Sequence, residues 1–131
     1  MVVRWLKGME KKVFVYVDGF FAINDKIFLL KRNVEPFKGF WACVGGFIEI
    51  DESPQEALRR EFKEETNLDV EVGDYISNRF EETSDRIKLI LTYRINAAKG
   101  KIKLNHENQE YGWFKELPPN SVYPYNQFLI K

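Results

Sequence analysis

Gly45-Gly46-Phe47-Ile48-Glu49-Ile50-Asp51-Glu52-Ser53-Pro54-Gln55-Glu56-Ala57-Leu58-Arg59-Arg60-Glu61-Phe62-Lys63-Glu64-Glu65-Thr66-Asn67-Leu68 joins a glycine pair, a capped helix and a crowd of carboxylates. Ser53 precedes Pro54, and Glu56 follows Ser53 by three positions. That pattern is a capping box with proline at the first helical position. It predicts a helix from Pro54 to about Thr66, closed by Asn67 in the left-handed conformation. At about 100° per residue, Glu61 and Glu65 fall inside the arc bounded by Ala57, Leu58 and Phe62. An amphipathic helix would carry Leu or Ile there. Charged groups are seldom buried without a partner, and three acids within one turn repel one another. A divalent cation removes both penalties, because hard cations take oxygen ligands and Mg²⁺ bridges carboxylates to phosphates. The plainer alternative is a solvated acidic face with Arg59, Arg60 and Lys63 as partners. The place of the acids inside the apolar arc argues against it.

The stretch resembles the Nudix box, carried here by Gly46, Glu52, Arg60, Glu61, Phe62, Glu64, Glu65, Asn67 and Leu68. Asn67 stands where the box has its last glycine, and Asn tolerates positive φ better than most residues. Family members usually have Pro at the position of Val44 and often Gly at the position of Asp51.

Composition sets the outer bounds. The 131 residues suit one domain over 1–131 with a single core, and 44% apolar content excludes disorder. A formal net charge of zero argues against a general nucleic-acid binder. Cys43 is the only cysteine, which excludes an internal disulfide and a cysteine zinc site. No apolar run is long enough for a membrane span, and no signal peptide is evident, so a cytoplasmic protein is expected. His106, the only histidine, is read as an exposed loop residue.

Outside the box the chain reads mainly as strands. Residues 1–11 are expected as a loose arm or as an edge strand pairing with a second copy in a homodimer. Residues 12–23 read as a strand with a bulge at Asp18-Gly19, followed by a turn at Asn24-Asp25 and a return strand over 26–31. Residues 33–39 are a loop, and a short strand over 40–44 delivers the glycine pair. Strands are expected over 69–72 and 75–80, separated by Gly73-Asp74, and then over 86–96, 102–104 and 110–114. Residues 123–130 are expected to form a final helical turn or two.

The resemblance implies an α/β/α sandwich, a mixed sheet flanked by helices. It also implies hydrolysis of a nucleoside diphosphate linked to some other group, with Mg²⁺ or Mn²⁺ as cofactor and a small nucleotide as the partner. Glu61 and Glu65 are the primary metal ligands on their angular positions, Glu64 is the third, and Glu52 and the Gly46 carbonyl complete the set. Arg60 orients a glutamate. The general base is a box glutamate or a later acid among Glu81, Glu82 and Glu110. The spacing of Glu110 before Trp113-Phe114 favours it. Arg32 is weighed as a phosphate contact, because Arg binds phosphate bidentately. Phe37 and Trp41 are candidates to stack on a base, set against a core role for Phe40 and Trp41. ADP-ribose-specific members often carry Pro about 16 residues after the box, where this chain has Ser84, while Glu35 to Gly39 is reminiscent of such members. An ADP-sugar and a (deoxy)nucleoside triphosphate both stay open. The reading from another class is a nucleotide-binding sensor, although such domains typically lose box carboxylates.

Overall fold

The computed structural model describes the backbone of residues 2–6 and 9–122, and the side chains of 11–122. It is a mixed α+β fold with two sheets and, among the described residues, one helix. The first sheet is built on β2 (Met9–Phe20). β1 (Val2–Leu6) runs antiparallel to its start, and β8 (Arg86–Lys99) lies parallel to it from Lys12 to Phe20. β7 (Asp69–Glu82) then pairs antiparallel with β8, giving the order β1-β2-β8-β7. β6 (Gly45–Phe47) pairs with β2 at Tyr16 to Asp18. The second sheet is built on β4 (Lys26–Arg32), which pairs with β3 (Ala22–Ile23), β5 (Trp41–Ala42) and β9 (Asn108–Phe114).

Alternation along β4 explains its continuous apolar run. Phe28 and Leu30 enter a core cluster with Val17, Leu58, Phe62 and Ile95. Ile27 and Leu29 point the other way, into a cluster with Phe20 and Cys43. A strand buried on both faces needs no polar positions. The turn before it, Asn24-Asp25, has φ of 52° and 62°, as a two-residue type I′ hairpin requires.

Helix α1 (Pro54–Thr66) has the boundaries its caps predict. The Glu56 amide donates to Ser53 Oγ at 3.1 Å, and the Ser53 amide donates to Glu56 Oε1 at 2.8 Å. Asn67 takes φ 68° and donates its amide to the Lys63 carbonyl. The helix buries Ala57, Leu58, Phe62, Glu65 and Thr66. Asp51, where the family often has glycine, also has φ 68°.

Several elements differ from the sequence expectation. β2 pairs with β8 in unbroken register through Asp18 and Gly19, so no bulge lies there. Gly19 instead makes room, since a Cβ on it would meet the Phe62 ring at 2.7 Å. The strand expected over 40–44 is shorter, at Trp41–Ala42, and the glycine pair begins strand β6. Gly73-Asp74 does not divide two strands; β7 passes through it with shifts in register. A side chain at Gly73 would meet the Asn96 amide. Residues 102–104 are not a strand, although the Lys103 amide donates to the Thr66 carbonyl at 2.9 Å. The N-terminal strand is an edge strand, as expected, and pairs with β2 on its inner side. The helical turns expected over 123–130 lie outside the described residues.

Phe62 is fully buried and links helix to sheet. Truncation to Ala is expected to lower stability by about 3–5 kcal/mol, the usual loss for a core Phe. Urea denaturation reads this directly, and a loss below about 1 kcal/mol would show that α1 is not seated as described.

Candidate active site

A cleft of about 660 Å³ opens beside the N-terminal glycines of β6 and the inner side of α1. Glu61, Glu65, Glu49 and Glu107 give it an acidic wall; Arg32, Arg86 and Lys88 supply positive charge around it. Capping sets the rotation of α1, and that rotation aims Glu61 and Glu65 at the cleft.

Glu65 is 7% exposed and accepts a hydrogen bond from the Asn108 amide at 3.0 Å. The Glu61 and Glu65 carboxyls are hydrogen-bonded to each other. Burial pushes the Glu65 carboxyl up to about 9, and the hydrogen bond and charge of Glu61 act in the same direction. Burial also raises Glu61, against the opposing effects of Glu65 and Arg60. The pair therefore shares one proton near neutral pH, with Glu65 as its holder.

Arg60 organises the other acids. Its Nε and Nη2 donate to Glu52 at 2.7 and 3.0 Å, a two-pronged clasp. Nη1 donates to Glu61 at 2.9 Å, and Nη2 also reaches the Phe47 carbonyl at 3.1 Å. Glu64 is more distant, at 3.4 Å, and its side chain is 55% exposed. The Glu52 carboxylate also accepts from the Glu49 amide, and its clasp by Arg60 lowers its pKa. Donation to the Glu52 carboxylate holds the Arg60 guanidinium more firmly protonated than usual.

Gly46 lies against Glu61. A Cβ there would come within 2.1 Å of a Glu61 carboxylate oxygen. Gly45 has a similar restriction from the Val17 carbonyl and Asp18.

The structure brings together Glu61, Glu65, Gly46, Arg32 and Phe37 around the cleft. Phe37 is half exposed, with φ 66°. Glu52, Arg60 and Glu64 stand behind this wall, joined by the Arg60 contacts. Trp41 is not brought to the cleft: its ring packs on Phe114 at 4.8 Å within the second cluster. Glu110 is not brought there either, and pairs with Lys31 at 3.4 Å. Glu82 pairs with Lys11, and Glu81 lies opposite Lys88 on β7. Glu107 does line the cleft, and its charge bears on Glu65. Sequence reading passed over Glu107 and Asn108 because an acid and an amide in a polar loop carry no periodic signal. The cleft residues Asp18 and Lys88 sit in strands whose outward face could not be assigned from one sequence.

Among the described residues no three carboxylate, imidazole or thiolate groups converge as a ready-made cation cage. The donor set nonetheless fits a hard cation: two facing carboxyls, held within a shared proton of each other, beside a backbone that approaches without a side chain. No helix among the described residues is long and apolar enough to cross a membrane.

This site sits on a fold with many known counterparts. A sequence profile of the NUDIX domain matches residues 14–127, most of the chain. The ADP-ribose pyrophosphatase of Methanocaldococcus jannaschii is 36% identical over 104 residues, covering 76% of this chain and 60% of that protein. The CTP pyrophosphohydrolase of Escherichia coli is 33% identical over 91 residues, covering 69% of this chain and 67% of that protein. In structure, the MutT NUDIX hydrolase of Burkholderia pseudomallei superposes with a TM-score of 0.82 at 21% identity, over 91% of this chain and 97% of that one. Among the described residues, one acidic helix packs on a mixed sheet beside a glycine pair. The chain belongs to the Nudix family.

Two outcomes follow from the geometry. Gly46→Ala is expected to displace Glu61 and lower cation affinity at least about 10-fold with little loss of helix content, read by Mn²⁺ titration and circular dichroism. Unchanged affinity would show that Glu61 need not lie against Gly46. The second outcome concerns pH. Between the ordinary glutamate value of 4.5 and about 9, the folded chain keeps a proton on Glu65 that the unfolded chain has released. Rising pH therefore favours unfolding across that window. With chelator present, the urea midpoint should fall as pH rises through it, and Glu65→Gln should flatten the slope. A midpoint that climbs over the same window would contradict the shared proton.

Proposed function

We propose that the chain is a divalent-cation-dependent hydrolase that cleaves the diphosphate linkage of a nucleoside diphosphate joined to another group. The observation that carries this reading is the buried Glu61–Glu65 pair on the wall of a large cleft that also holds Arg32, Arg86 and Lys88. Two acids facing one another at low exposure are costly, and a cation in place of their shared proton removes the cost. Relatives named for ADP-ribose and CTP hydrolysis support a nucleotide substrate of either kind, an ADP-sugar or a nucleoside triphosphate.

Glu61 and Glu65 would hold the cation, Mg²⁺ or Mn²⁺, with the Gly46 carbonyl and Glu64 as further oxygen donors. When bound, the cation offsets the charge of the diphosphate and polarises its phosphoryl oxygens. The chain's own residues do the remaining work. Arg60 fixes Glu61 and Glu52 by charge-assisted hydrogen bonds, which keeps the acids from repelling each other out of position. Arg32 draws the diphosphate into the cleft, while its Nε donates to the Pro36 carbonyl at 2.7 Å and steadies the loop that carries Phe37. Glu107 is the general base in this reading, because it lines the cleft whereas Glu110 is engaged with Lys31. It takes a proton from the attacking water as the new phosphorus–oxygen bond forms, and the bridging phosphorus–oxygen bond breaks to release a phosphate-bearing product.

Glu61→Gln tests the assignment. Turnover of ADP-ribose or CTP with Mg²⁺ is expected to fall by about 100-fold or more while the fold is kept. Chelation should remove wild-type activity, with Mg²⁺ or Mn²⁺ restoring it. Near wild-type turnover by the variant would sink the role given to Glu61. Tight nucleotide binding with no turnover of any nucleotide would favour a sensor instead.

A further inference from the structure

One end of the cleft is unlike the acidic wall, and the cation site makes no use of it. Asp18 lies there, 1% exposed, on the face of β2 turned away from the helix-side cluster. Thr92, its register partner on β8, donates to Oδ1 at 2.6 Å, and Arg79 donates to Oδ2 at 3.4 Å. A carboxylate offers about four acceptor positions, and these donors among the described residues take two. Burial outweighs both partners and the nearby Lys88, so the Asp18 carboxyl is held above its ordinary value. Such a group is expensive to keep on a cleft floor unless something entering the cleft donates to it.

Its surroundings describe that something. Tyr16 and Phe47, on adjoining strands, meet edge to face with ring centroids 5.2 Å apart. Lys88 sits 4.3 Å from the Tyr16 ring centre and 5.7 Å from that of Phe47. Gly45 closes β6 down on Asp18, where a Cβ would come within 2.8 Å of the Asp18 Cβ. The cleft end thus presents an acceptor on its floor, aromatic surface beside it and a cationic donor above that surface. A planar ring with an N–H donor next to an acceptor matches all three.

We propose that this end of the cleft is a nucleobase subsite in which Asp18 selects bases carrying an exocyclic amino group. The inference rests on the nucleotide reading above and sharpens it. Cytosine, adenine and guanine each place an amino group beside a ring nitrogen or carbonyl. Their amino hydrogens meet Asp18, and the neighbouring acceptor meets Lys88. Uracil, thymine and hypoxanthine turn carbonyl oxygens toward Asp18 instead, acceptor against acceptor. A buried polar group left unpaired in this way discriminates strongly.

Calorimetric titration of the wild-type chain with CMP, UMP, AMP and IMP tests this without requiring turnover. CMP is expected to bind at least about 10-fold tighter than UMP, and AMP at least about 10-fold tighter than IMP. The two pairs separate a pyrimidine site from a purine site. Asp18→Asn keeps the shape but can donate to a carbonyl, so the preference should collapse or invert. Equal affinities within both pairs in the wild type overturn the proposal, as does an Asp18→Asn variant that folds and keeps the wild-type ratios. Failure to bind any of the four overturns it too. The wild-type comparison stands even if the variant does not fold. Cation-dependent hydrolysis of CTP and UTP at equal kcat/KM would leave the hydrolase reading intact and remove the base selection. Selective CMP or AMP binding with no hydrolysis would do the reverse.

Discussion

Helix α1 reaches the sheets only because two positions carry no side chain. Phe62 lies where a Cβ on Gly19 would stand, and the Glu61 carboxylate lies where a Cβ on Gly46 would stand. Both contacts come from neighbouring residues of one helix turn, so the same approach that seats the core also sets the acid against the backbone of β6. Packing densities in protein interiors leave no slack at such a junction. A helix displaced by one methyl group would lose the core contact and the site geometry together.

The electrostatics of the site follow from that seating. Four acids of one short stretch gather around Arg60 and the cleft, and their mutual repulsion has to be offset. Arg60 does this for Glu52, Glu61 and Glu64 from behind the wall, with a planar guanidinium whose donors reach three carboxylates and a carbonyl. Glu65 lies beyond its reach. It is kept by a proton shared with Glu61 and by the Asn108 amide. The site is thus divided into a stabilised half, clamped by Arg60, and a costly half that faces the cleft. Costly, buried ionisable groups in a cleft are where function is concentrated.

The helix and its acids were legible because several local signals agreed: the Ser53–Glu56 box, Pro54, Asn67 and the angular place of Glu61 and Glu65. Long-range placement left no such trace. Gly19 looks like a bulge when its neighbour Phe62 is 43 residues away and unseen; in the fold it is a gap filled by that ring. Trp41 reads equally as a stacking platform or a core residue until Phe114 is placed against it. Glu110 and Glu107 are close in sequence, yet the β9 register turns the first toward Lys31 and leaves the second at the cleft. Asp18 was the least legible. Its meaning depends on a parallel pairing with β8 that no local pattern encodes.

That pairing also governs how the molecule can form. β2 meets β8 in register from Lys12–Arg86 to Phe20–Arg94, so the floor of the cleft joins segments separated by most of the chain. The β7–β8 hairpin and α1 can form from near neighbours in sequence, whereas the β2–β8 ladder must first close a long loop against its entropy. The Asp18–Thr92 bond belongs to this long-range ladder. The acidic helix thus draws on contacts between near neighbours in sequence, while the floor of the cleft it faces depends on contacts of long sequence separation.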